Sequence, residues 1–319
     1  MSIEPLLDPL QNRLVIYPIY HDDIWQFYKR AIGCFWTAEE IDVGADLPDF
    51  EKLTTREKDF IKNILAFFAA SDAIVNENLA ERFIKDVQYP EARAFYSCQI
   101  MIETIHSEVY SLLIDTLVPK IEQPKLLNAI QCIPVVQKKA EWAFKWIHNG
   151  SFAERLVAFA CVEGILFSSS FAAIFWLKSR GLCIHGLGKS NEFISRDEGL
   201  HRDFAVHLYK NHLQNKLSKE KIIEIVKSSV HVEQEFVRES LPKDLHGINA
   251  TSMCEYVEYV ADHLLVSLGY DVIYKTPNPL NFMELISLQG KSNFFENRVT
   301  EYKFQREAMS QKLNFDAEF

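Results

Sequence analysis

The sequence has no CxxC pair among its six cysteines, no run of lysine or arginine, no glycine-rich phosphate loop and almost no alternating apolar-polar stretch. Each absence removes a class of function. The scattered thiols Cys34, Cys98, Cys132, Cys161, Cys183 and Cys254 suit a reduced, cytoplasmic protein rather than a disulfide frame or a zinc ribbon. Thirty-four basic residues against 44 acidic ones give a net charge of -10, so no electrostatic footprint for nucleic acid or anionic lipid is expected. Neither GxxxxGK followed by Ser or Thr nor a GxGxxG after a strand is present, which argues against a nucleotide pocket of either kind. The opening MSIEPLLDPLQNR lacks a basic start followed by an apolar run, so no secretory signal is expected.

What the chain does have is apolar content, at 48% of residues, arranged at helical spacing. Thr54 and Glu57 form a capping box that opens a helix reaching about Phe83, and Pro90 suits the first position of a helix ending near Leu117. Ser151 and Glu154 form a second box. With Gly181 as a stop, they predict one rod of about 30 residues, or roughly 45 Å. Further helices are expected near residues 21–31, 133–147, 189–213, 218–240 and 250–268, and a short extended piece at 270–274. The expected class is all-α, with one domain over residues 1–300 and a polar tail over residues 301–319.

Within the second rod, LVAFACVEGILFSSSFAAIFWL is long enough to cross a bilayer yet carries one formal charge, Glu163. An unpaired carboxylate at a bilayer centre is costly, and no interfacial belt frames the segment, so a helix surrounded by protein is the better reading. Two of the ten histidines follow a glutamate by three positions, Glu103/His106 and Glu198/His201, and each pair shares one helix face. Upstream of each pair lies an acid in an apolar helix, Asp72 and Glu163, at separations of 31 and 35 residues. Acid, ExxH, acid, ExxH from four helices is the donor set of di-iron and di-manganese carboxylate bundles. Four carboxylates neutralise two divalent ions, which explains how so many acids enter a core. Any one of these residues alone is better read as a paired core group. The six together point to a metal centre. Tyr110, four residues past His106, shares that face, while Phe167, Phe171 and Ile194 are placed to give it an apolar surround.

The segments FFAASDAIVNENLAERF, ETIHSEVYSLLIDT, VEGILFSSSFAAIFWLK, SRDEGLHRDFA and DIWQFYKRAIGCFW together resemble the small, radical-bearing subunit of class I ribonucleotide reductase, of eukaryotic or large-DNA-virus type. The resemblance implies a ferritin-like homodimer with a pair of iron ions per chain, manganese being an alternative. It places Asp72, Glu103 and His106 at one metal and Glu163, Glu198 and His201 at the other, with Tyr110 oxidised to a stable radical. It further implies radical transfer through Trp36, Asp197 and Tyr302 to a large subunit, docked through the C-terminal tail. The ending NFDAEF departs from the common Phe-x-Leu-Asp-Ala-Asp-Phe, which puts partner specificity in question. The rival readings are an oxygenase or oxidase on the same bundle, an iron store, and a silent scaffold.

Overall fold

The computed structural model describes residues 4–283; the proposed tail, including Tyr302, lies outside them. The longer helices are α1 (Asp22–Gly33), α2 (Thr55–Asn78), α3 (Pro90–Leu117), α4 (Pro134–Asn149), α5 (Phe152–Cys161), α6 (Ser168–Ser179), α7 (Leu187–His207), α8 (Lys219–Ser240) and α9 (Ala250–Leu268). Among the described residues no strand forms, and one isolated bridge joins Leu245 to Ile248. The all-α expectation holds.

Local chemistry sets the helix ends. The Thr54 hydroxyl accepts from Glu57 N–H while the Glu57 carboxylate accepts from Thr54 N–H, and Ser151 with Glu154 repeats the exchange at α5. Gly181 adopts a left-handed φ of 71°, letting Leu182 N–H reach back to Leu177 O at 3.1 Å and close α6 where the sequence placed a stop. The start of α7 uses a distant cap: the buried Asp46 carboxylate accepts from the N–H groups of His185, Gly186 and Leu187.

The expected rod runs over Phe152–Ser179 but is not uniformly α. Between α5 and α6 the chain makes a π turn over Val162–Leu166, with Glu163 inside it, so the rod is two α-helices joined by a wider turn. Similar turns follow α2 at Leu79–Phe83 and α7 at Leu208–His212. Residues 270–274 are also not a strand; the N–H groups of Ile273, Tyr274 and Lys275 instead wrap the Asp262 carboxylate. Helix α3 packs against α2 and α1, α7 against α5 and α6, and α8 against α4 and α9. The apolar span Phe152–Ser179 is long enough for a membrane, yet 94% of its most apolar window is buried inside the protein.

Candidate metal centre

Four helical segments deliver the six expected ligands to one place. On α3, Gln99, Glu103, His106 and Tyr110 recur at helical spacing along a single buried face. Helix α7 contributes Asp197, Glu198 and His201, α2 contributes Asp72, and the π turn contributes Glu163. Ligand atoms of Glu103, Glu163, Glu198 and His201 all lie within 4.8 Å of one another. His106 Nδ1 is 3.3 Å from Glu103 Oε2 and 3.1 Å from Glu198 Oε1; His201 Nδ1 is 3.0 Å from Glu103 Oε1 and 3.2 Å from Glu198 Oε2. Glu103 and Glu198 thus each reach both imidazoles, the placement that carboxylates shared between two ions require.

The donors fit a pair of cations. Both oxygens of Asp72 and of Glu103, Glu163 Oε2, Glu198 Oε1 and His106 Nδ1 are buried without a hydrogen bond. Burying that many unsatisfied acceptors is prohibitive unless positive charge compensates them. Burial, then the charge of Glu103, pushes the Asp72 carboxyl well above its usual range, and burial with Glu198 does the same to Glu163. The facing Glu163 carboxyl and the His106 and His201 imidazoles overcome burial at Glu198 and hold it well down. Burial disfavours the charged imidazoles, yet the carboxylates facing His106 and His201 outweigh it and raise both.

Outside the six donor residues the structure orders further groups. Trp36 Nε1 donates to Asp197 Oδ2 at 2.7 Å, and the same oxygen lies 3.3 Å from His106 Nε2. A proton on Nε2 leaves the Nδ1 lone pair facing the carboxylates, the tautomer a metal ligand needs. Arg196 holds the other Asp197 oxygen at 3.1 Å. Tyr110 is fully buried, its hydroxyl has no hydrogen-bond partner, and burial with the field of Asp72 raises its pKa well above the ordinary phenol. Its ring stacks on Phe68 at 4.5 Å and 5°, and Phe68 in turn contacts Phe167 and Phe171. The apolar surround was expected; Phe68 as its inner member was not, although it precedes Asp72 by four. Gln99, whose amide lies 3.4 Å from Glu163 Oε1, was also missed and carries the same signal four residues before Glu103.

Long helices converging four carboxylates and two imidazoles on a buried box define a ferritin-like di-metal carboxylate bundle. The family model described as "Ribonucleotide reductase, small chain" matches residues 13–279. The chain is 55% identical to the ribonucleoside-diphosphate reductase small chain of Trypanosoma brucei brucei, over 99% of this chain and 95% of that one. It is 56% identical to the vaccinia virus (strain Ankara) small chain, over 98% of each. The solved Rnr4 homodimer of ribonucleotide reductase from Saccharomyces cerevisiae superposes with a TM-score of 0.81 at 37% identity, over 95% of this chain and 92% of that one. This chain belongs to the ribonucleotide reductase small-chain family.

Proposed function

We propose that Asp72, Glu103, His106, Glu163, Glu198 and His201 hold a pair of iron ions and that Tyr110 bears the radical. The chain acts as the small, radical-generating subunit of a ribonucleoside-diphosphate reductase, which reduces ribonucleotides only together with its large subunit. The observation that carries the residue assignment is the convergence of six donor residues, five of them with buried ligand atoms that lack a hydrogen bond, together with a buried tyrosine hydroxyl that has no partner. Iron bound there would supply, with dioxygen, the oxidising equivalent that removes an electron from Tyr110; oxygen and nitrogen donors also suit manganese. The protein supplies the surroundings. Phe68, Phe167 and Phe171 keep water and reductants from the phenol, and its buried position disfavours a charged phenolate.

The line from His106 through Asp197 to Trp36 supports these residues as the route by which the oxidising equivalent leaves the core. Tyr302 would continue it toward the large subunit, and residues 301–319 would dock that partner through Phe315 and Phe319. The large subunit, in turn, holds the nucleotide. The likeness to a homodimeric relative supports a homodimer, and the reading places the protein in the cytoplasm as one domain with a tail. Iron and oxygen loading followed by electron paramagnetic resonance and metal analysis tests the assignment. A tyrosyl signal with about two irons per chain is expected. Tyr110→Phe should keep the iron and lose the signal. A full signal in that variant would refute the role of Tyr110, and many irons per chain would favour storage.

A further inference from the structure

We propose that Asp23, His207 and His212 form a third metal site, binding a zinc-class divalent ion at the seam between α1 and the end of α7. His207 Nε2 lies 2.7 Å from Asp23 Oδ2 and His212 Nε2 lies 2.6 Å from the same oxygen, and the ligand atoms of all three residues fall within 4.8 Å of one another. The local backbone explains the convergence. Residues five apart point in different directions on an α-helix, but the turn Leu208–His212 is π, with Leu213 N–H on Leu208 O at 2.9 Å. That wider turn brings His212 to the side of His207.

Two imidazoles and one carboxylate with no thiolate suit zinc and its neighbours, and leave a position for water. Zinc bonds of about 2.0–2.1 Å separate tetrahedral donors by roughly 3.3 Å, so each histidine nitrogen need move from the Asp23 oxygen by only about 0.6–0.7 Å. Asp23 can do this because its side chain is 46% exposed, against 19% and 13% for His207 and His212, which also gives an ion a way in. An outer partner is in place: Asn211 Nδ2 lies 2.9 Å from His207 Nδ1, and turning that amide lets its oxygen accept from Nδ1–H once Nε2 holds the ion. His21 forms the neighbouring wall, stacked on Tyr89 at 3.8 Å with its ring 5.5 Å from His212.

The site is separate from the di-metal centre, since His207 lies about 9 Å farther along α7 than His201. An ion here would pin α1, which runs directly into the Trp36 segment, to the helix that carries Glu198 and His201.

The test is equilibrium dialysis of the iron-loaded full chain against micromolar zinc sulfate, with iron and zinc measured together by mass spectrometry. About one zinc per chain is expected with iron unchanged. His212→Gln should weaken zinc binding roughly tenfold or more, and His207→Leu/His212→Gln should abolish it, with both variants keeping their iron. If the double variant loses its iron, the His212→Gln comparison alone decides. No bound zinc in the wild type, equal zinc in the variants, or zinc gained only as iron is lost would each overturn the site.

Discussion

Replacing Lys139 by methionine tests what holds the rear wall of the metal centre. Lys139 is buried in α4, and its ammonium lies 2.6 Å from Glu233 Oε2 of α8 and donates to Leu166 O at 2.6 Å, the last carbonyl of the π turn that carries Glu163. It also sits 3.2 Å from the Phe67 ring centroid, and Ser169 donates its hydroxyl to the other Glu233 oxygen. The Lys139 and Glu233 side chains are 1% and 0% exposed, so solvent cannot replace a missing partner. Lys139→Met strands Glu233 and the Leu166 carbonyl, and breaking a buried pair from one side costs about 3–5 kcal/mol. For a chain of this size that corresponds to roughly 5–8 °C in Tm. Replacing both partners, as Lys139→Met/Glu233→Leu, should recover most of the loss, because neither desolvated charge then remains. Urea denaturation of the metal-free protein at fixed concentration measures both. A single-variant loss under about 1 kcal/mol, or a double variant no better than the single, would refute the assignment of the pair as a mutually dependent buried unit.

The same pair predicts a pH dependence. Burial, opposed by Glu233, lowers Lys139 to about 8 from its usual 10.5. The unfolded chain therefore keeps this proton over a window where the folded chain has lost it. Wild-type stability relative to the double variant should rise with pH across that window, and urea midpoints measured from pH 8 to 10 check the sign. Asp72→Asn removes one unpartnered carboxylate, so it should lower metal content from about two ions to about one while leaving the metal-free protein at least as stable; metal analysis and apoprotein melting read the two effects separately. Trp36→Phe deletes the hydrogen bond to Asp197 while keeping an aromatic ring against His106, whose centroid lies 6.0 Å from that of Trp36. It should leave the Tyr110 signal intact and abolish turnover with the large subunit, whereas retained turnover would remove Trp36 from the route.

How much of this the sequence displays depends on the range of the forces involved. Thr54 with Glu57 and Ser151 with Glu154 declare helix starts because both partners lie within one turn, and the ExxH pairs declare a shared face for the same reason. The two upstream acids, Asp72 and Glu163, became legible only as a set with those pairs, since each apolar helix gives its own carboxylate no visible partner. The π turn at Glu163 left no such local trace, because choosing an i→i+5 bond over an i→i+4 bond depends on what packs beside it. One clue was present: Gly164 is a poor residue for the middle of a helix. In the structure a Cβ there would stand 3.0 Å from Arg202 Cδ on α7, so the glycine admits a close approach between the helices that carry Glu163 and Glu198. The cap on α7 was less accessible still. Asp46 reaches it across 140 residues, and only the folded chain brings that carboxylate to the exposed N–H groups. Likewise nothing in the sequence pairs His207 with His212; the π turn brings them together on Asp23. Two of the three π turns among the described residues thus fall where side chains from separate segments meet, at Glu163 and at His212, and periodicity is least informative at those points.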